Sequence, residues 1–399
     1  MTEATYFRKG FGLKREIEGA LAADYHSRLV DGVRAGGYRL SVGDLTFRLA
    51  KDFGFCYGVD RAVEYAYEAH EKFPSKRLFL VGEIIHNPHV NRRLEEKGIT
   101  ILSREGSGEF AFSGISPEDV VILPAFGVTV HDFERLRHIG CVLVDTTCGS
   151  VLNVWKRVER YAKEGFTALV HGKHLHEETR ATASQVTRFP GGKYLVVRDM
   201  DETELVCRHI EAGGAASELE RRFASAASEA FDFDRDLDRV GVANQTTMLA
   251  RDSLAIAARV RAAFARRYGV GNVDAHFRSF DTICSATQER QDAVLELVRG
   301  ALDVMLVIGG YNSSNTMSLA RICSQHVRTF HVEDASGIDP ASGVIRHQPV
   351  GSKQEVVSAE WLTPGTKTIG ITAGASTPNN KIGEAIARIL EAKGMEVPA

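Results

Sequence analysis

Three cysteines stand at matching points of a repeated pattern. The segments DFGFCYGVDRAVEYA, DTTCGSVLNVWKRVERY and FDTICSATQERQDAVLELV each set a cysteine, Cys56, Cys148 or Cys284, behind an Asp-containing stretch and ahead of a helix-like run. Thiolates bind zinc or iron-sulfur clusters. A helix N-terminus favours thiolate over thiol, through unpaired N–H groups and the positive end of the helix dipole. Structural zinc wants four ligands, usually in short Cys-x-x-Cys pairs, and spacings of 92 and 136 residues contain no such pair. Three thiolates suit a cubane 4Fe-4S cluster whose fourth iron has no protein ligand and can bind substrate. The remaining cysteines, Cys141, Cys207 and Cys323, lie outside the pattern and read as small buried hydrophobes.

The elements that must position these residues repeat with them. Apolar residues at helical spacing follow each cysteine: Val59, Ala62, Val63, Ala66; then Val151, Val154, Trp155, Val158; then Val294, Leu297, Val298, Ala301. An apolar strand ending in glycine comes next, LFLVG at Gly82, TALVHG at Gly172 and VMLVIGG at Gly309, 26, 24 and 25 residues beyond the cysteine. Four residues past each glycine sits a polar side chain, His86, His176 or Ser313. A second strand and loop follow: VVILPAFGV around Phe126, VGVANQTT around Gln245 to Thr247, and TIGITAGAS around Ser376.

Strand and helix patterns alternating at this length favour parallel sheets with helices on both faces, with ligands at the carboxyl ends of the strands. The expected fold is α/β, three pseudo-symmetric units with mostly parallel sheets around a central cluster cavity. The boundaries are an N-terminal extension over 1–44, a strand within 45–56 joining the third unit, and units over 57–147, 148–283 and 284–392. Segments 212–239 and 336–366 read as surface insertions. Gly10, Gly12, Gly36 and Gly37 suggest an irregular extension.

Each polar residue carries two readings. His86 and His176 are ligands or satisfied structural histidines. Glu178 is a proton carrier whose pKa burial would raise, or a solvated loop residue. The run Asn312, Ser313, Ser314, Asn315 is a cradle of neutral donors for phosphate oxygens, or a polar turn. No G-x-G-x-x-G or Walker sequence occurs, which argues against bound nicotinamide or nucleoside triphosphate. A net charge of -3, with 44% hydrophobic and 25% charged residues, excludes disorder and gives no footprint for nucleic acid. Without a membrane span or secretory h-region, a cytoplasmic setting is expected.

GFCYGVDRAVEYA, IIHNPHV, VDTTCGSVLNVWKRVE, HGKHLHEETRATAS, ANQTT, DTICSATQERQDAV, NSSNT and TAGAST together resemble the 4-hydroxy-3-methylbut-2-enyl diphosphate reductase (LytB) family over about residues 45–390. PAFGV, HGKHLHEE and the long insertion before TAGAST resemble its plant and cyanobacterial branch. The resemblance implies the last step of the non-mevalonate (MEP/DOXP) isoprenoid pathway: reductive loss of an allylic hydroxyl, yielding isopentenyl and dimethylallyl diphosphates. It implies that Cys56, Cys148 and Cys284 hold one 4Fe-4S cluster per chain, that Glu178 delivers protons, and that Thr246 and His176 orient the hydroxyl and relay protons. It further implies that His86, Ser314, Asn315 and Ser376 hold the diphosphate, with Ser313 a neighbouring candidate. The implied electron donor is a small acidic ferredoxin or flavodoxin.

Two departures stand out. Phe126 occupies the place of a diphosphate-binding histidine in the motif A-H-G-V, with His89 and Lys173 as candidate replacements. Cys148-Gly149 stands where Cys-Pro is common, which bears on loop geometry. Competing readings are an iron-sulfur hydro-lyase, which needs no external electrons, a non-enzymatic iron-sulfur sensor, and, more weakly, a zinc hydrolase.

Overall fold

The structure is a computed structural model describing residues 5–106, 108–214, 216–280 and 282–398. Mostly parallel sheets and flanking helices fall into two compact units, residues 1–8, 76–82 and 102–284 in the first and residues 9–75, 83–101 and 285–399 in the second.

The first unit holds two sheets. In one, Tyr6–Phe7, Val142–Asp145, Val120–Leu123 and Leu78–Val81 lie side by side, all parallel. In the other, Phe277–Ser279, Val240–Asn244, Thr167–His171 and Tyr194–Val197 do the same. Central strands such as Val120–Leu123 and Val240–Asn244 are buried along their whole length, as expected of parallel strands covered on both faces. The helix Gly149–Lys163 turns Val151, Val154 and Val158 inward.

The second unit holds a larger sheet, Thr329–Val332, Val304–Ile308, Thr368–Ala373 and Leu45–Leu49 in parallel, closed by Arg39–Val42 antiparallel to Leu45–Leu49, and a two-stranded antiparallel one, Ile345–His347 with Val356–Ser358. The helices Tyr57–Lys72 and Pro88–Glu96, drawn from sequence with the repeat over 57–147, belong to this unit. Val59, Ala62, Val63 and Ala66 all face its interior. The third expected stripe is shorter than drawn, because the helix Ser285–Val298 stops before Ala301.

Three sequence expectations are corrected. The extension is regular: Lys14–Tyr25 and Arg28–Ala35 are helices, the second capped by Ser27. Gly10 marks a close approach, since a Cβ there would lie 2.4 Å from Glu68 Oε2, while Phe11 and Leu13 donate their N–H groups to the Glu68 carboxylate. Segment 336–366 is a surface insertion over 348–360, which are exposed or half-buried, but is anchored in the core on either side. Ile338, Ile345 and Trp361 are at most 1% exposed and pack into the core of the sheet, and replacing such a Trp by Ala costs about 3–5 kcal/mol. Segment 212–239 likewise buries Leu219, Phe223, Phe233 and Leu237 in the first unit's core. Among the described residues no helix is long and apolar enough to cross a membrane.

Candidate active site

In the first unit the chain leaves the strand Thr167–His171 through Gly172, where a Cβ would lie 2.8 Å from Thr179 Oγ1 and 3.0 Å from Gln245 Cβ. The missing side chain lets Gln245 close over the strand end. Its Oε1 accepts from the Lys173 N–H at 3.2 Å and from Thr179 Oγ1 at 3.1 Å. His176 then caps the helix Glu177–Ser184, its Nδ1 accepting the Glu178 N–H at 3.2 Å. An accepting Nδ1 puts the proton of a neutral ring on Nε2. Glu178 is 1% exposed, and its Oε1 accepts the Thr246 N–H at 2.5 Å. Phe126 sets its ring against His176, centroids 5.7 Å apart and planes at 76°.

The same unit carries two of the cysteines. Cys148 caps the helix Gly149–Lys163, and its N–H donates to Ala125 O at 2.9 Å. Gly149 starts this helix without a proline, and no atom crowds it within 4 Å. The departure from Cys-Pro therefore leaves the helix start intact. Ser150, in the first turn, places Oγ 3.3 Å from Cys284 Sγ, so the structure brings Cys284 against the beginning of the Cys148 helix.

In the second unit Cys56 caps the helix Tyr57–Lys72 and donates its N–H to Ala375 O at 3.2 Å. His86 Nδ1 meets Glu83 Oε2 at 2.7 Å, and Asn312 Nδ2 donates to the same oxygen at 3.0 Å. Ser376 Oγ donates to His86 O at 3.1 Å. Ser313 caps the helix Ser314–Ser324, accepting the Thr316 N–H at 3.3 Å. Asn315 Oδ1 accepts the Ala375 N–H at 2.9 Å, while Asn315 Nδ2 is buried and has no partner among the described residues. An orphaned buried amide donor costs free energy unless a ligand oxygen satisfies it.

Burial separates the cysteines into two groups. Cys141, Cys207 and Cys323 are buried, and burial pushes their thiols up to about 11, 12 and 12. Cys56, Cys148 and Cys284 are only half-buried, free of disulfides, and stand at or just before helix starts. Each is a helix-start thiol, a donor type that suits an iron-sulfur cluster.

Of the replacements suggested for the missing histidine, His89 is turned elsewhere. Its Nε2 lies 3.4 Å from Asp24 O and its ring meets the Tyr25 ring edge-on; burial, with Lys381 nearby, lowers its pKa. Lys173 stays in the loop beside Gln245, its ammonium also pushed down by burial. Sequence reasoning missed Glu83, which holds His86 and Asn312. The available signal was an acidic residue directly after the strand-end Gly82 and three before His86.

The family model described as LytB protein matches residues 47–390. The 4-hydroxy-3-methylbut-2-enyl diphosphate reductase of Gloeobacter violaceus is 48% identical over 399 residues, covering 99% of this chain and 94% of its own. That of Thermosynechococcus vestitus is 46% identical over 385 residues, 96% of this chain and 94% of its own. A solved (E)-4-hydroxy-3-methyl-but-2-enyl diphosphate reductase, the terminal enzyme of the non-mevalonate pathway, superposes with a TM-score of 0.50 at 28% identity, covering 86% of this chain and 99% of its own. The E-1-hydroxy-2-methyl-but-2-enyl-4-diphosphate reductase of Plasmodium falciparum shares the fold, with a TM-score of 0.63 at 19% identity over 86% of this chain and 87% of its own.

Proposed function

The chain belongs to the LytB family, and from that premise we propose that it reduces (E)-4-hydroxy-3-methylbut-2-enyl diphosphate to isopentenyl and dimethylallyl diphosphates. Two electrons and two protons enter, the allylic C–O bond breaks, a C–H bond forms and water leaves. The observation that carries this reading is the likeness to reductases of that name over nearly the whole chain. It is an iron-sulfur oxidoreductase.

Cys56, Cys148 and Cys284 would hold the cluster, of 4Fe-4S type with three protein ligands. When bound, such a group supplies single electrons and a Lewis-acidic iron. Glu178 carries protons to the departing hydroxyl, and the Thr246 N–H on its Oε1 fixes the direction of the carboxyl group. The Thr246 hydroxyl orients that hydroxyl, and His176, with Nδ1 taken up by the Glu178 N–H, offers Nε2–H to the proton relay. The diphosphate is held by His86, Ser313, Ser314, Asn315 and Ser376. Neutral hydroxyl and amide donors at the start of the helix Ser314–Ser324 suit an anion, because the helix N-terminus adds unpaired N–H groups. His86 donates Nδ1–H to Glu83, which fixes the orientation of its ring. The electrons come from a small acidic ferredoxin or flavodoxin.

Anaerobic oxidation of reduced methyl viologen by cluster-loaded protein tests the reading. Oxidation that requires the substrate and yields both isoprenyl diphosphates is expected. Protein containing four irons and four sulfides that stays silent would overturn it. The ligand assignment has its own test: Cys148→Ala should lose iron, whereas Cys141→Ala, Cys207→Ala and Cys323→Ala should keep it.

A further inference from the structure

We propose that the hairpin of Ile345–His347 and Val356–Ser358 braces the diphosphate-holding loop, with Tyr311 and Glu355 as positioning residues that set substrate affinity; this rests on the assignment of Ser313 to Asn315 to the diphosphate. The loop begins Gly309-Gly310, with Gly309 at φ +145°, a conformation open to glycine, and closes on itself where the Ser313 N–H donates to Gly310 O at 3.0 Å. Its direction is set by contacts on two sides. On one, Asn312 donates to Glu83 at 3.0 Å. On the other, the Tyr311 hydroxyl donates to Glu355 Oε1 at 2.9 Å, and Glu355 lies on the inserted segment.

The insertion supports the loop by a second route. Tyr311 sets its ring edge-on to His331 at 5.0 Å and 78°. His331 Nε2 faces Gly309 O at 2.9 Å, which makes that nitrogen the N–H donor. The strand bearing His331 is itself held by the insertion: the Gln348 N–H donates to His331 O at 2.9 Å, and the His347 ring packs on Phe330 at 4.7 Å. Arg346, on the same hairpin, lies 3.5 Å from Glu355 Oε1 and steadies the carboxylate. A carboxylate aimed at a diphosphate would repel it. Glu355 instead spends its charge on the phenol and Arg346, so its influence on the anion passes through Tyr311 and the backbone that leads to Ser313.

The test uses the full-length, cluster-loaded protein in the viologen assay, with inorganic diphosphate as a competing probe. Tyr311→Phe removes one hydrogen bond to a charged acceptor, so KM and the inhibition constant for inorganic diphosphate should both rise about five- to tenfold. The expected kcat stays within about twofold. Glu355→Gln, still an acceptor, should fall between Glu355→Ala and the native chain, and Tyr311→Phe with Glu355→Ala together should be no worse than the stronger single change. Unchanged affinity in Tyr311→Phe and Glu355→Ala would overturn the proposal, as would a fall in kcat that tracks a lowered Tm. Asn315→Ala separates the two levels of the argument. If it weakens diphosphate binding while the brace variants do not, the brace alone fails; if it changes nothing, the assignment of the loop to the diphosphate fails and takes the brace with it.

Discussion

Between the strand Thr167–His171 and the helix Glu177–Ser184, and again between Val304–Ile308 and Ser314–Ser324, the chain makes the same turn. A crowded glycine, Gly172 or Gly309, ends the strand, and four residues later His176 or Ser313 caps the helix. At the second helical residue a side-chain oxygen accepts a backbone N–H from just past the neighbouring parallel strand: Glu178 from Thr246 in the first unit, Asn315 from Ala375 in the second. The backbone plan is common and the chemistry is not. A carboxylate at this position can carry a proton but would repel a phosphate, whereas an amide with one buried donor left over attracts an anion and has no proton to give. The caps differ in the same sense, imidazole against hydroxyl. Histidine is the poorer helix cap, so its use at position 176 trades local stability for a titratable ring.

Exchanging the two chemistries gives the largest effect. Glu178→Gln keeps an acceptor for Thr246 and removes the proton, so turnover should fall about 1,000-fold with iron content intact. Near-normal turnover would break the contrast between the two turns. Acid should next weaken both units. Burial holds His171 and His331 at about 4, below the ordinary 6.5, so the unfolded chain takes up protons first as pH falls. Each ring's contribution is fully present above pH 6.5 and lost on the way to 4, about 3 kcal/mol per ring by the end of that range. Urea unfolding at pH 7.5, 5.5 and 4.5 reads the loss, and a flat profile would contradict it. Asn315→Asp keeps the acceptor for Ala375 and swaps the orphaned donor for an anionic oxygen. A rise in KM of about thirtyfold is expected, with kcat less affected. Gly309→Ala forces a Cβ to 2.5 Å from Thr377 Oγ1 at a positive φ, costing about 2 kcal/mol of stability. Gly172→Ala meets the same kind of crowding without the backbone strain and should cost about half as much, as thermal unfolding of the two variants would show.

Legibility in the sequence followed the range of the interaction. The stripe Val59, Ala62, Val63, Ala66 and the strand runs ending at Gly172 and Gly309 could be read because they depend on neighbours within a few residues. Segment 336–366 could not. Its glycines and prolines look like a surface loop, yet Trp361 and Ile345 sit in the core because a strand distant in sequence offers them an apolar face. Gly10 misled in the same way: its lack of a side chain reflects the closeness of Glu68, not looseness of the chain. His89 looked like a spare donor until the helix Lys14–Tyr25 placed a carbonyl against it.

The amino-acid sequence by itself determined the repeated strand, glycine, cap and helix order, and the types of side chain at each cap. Those features rest on local periodicity and on the preferences of single residues for helix starts. Only the tertiary structure decided what each of those side chains faces. Thr246 reaches Glu178 across 68 positions and Ala375 reaches Asn315 across 60. Such pairs come together only when parallel strands settle in register, and that register is set by burying both faces of the sheet at once, which no local stretch of sequence encodes.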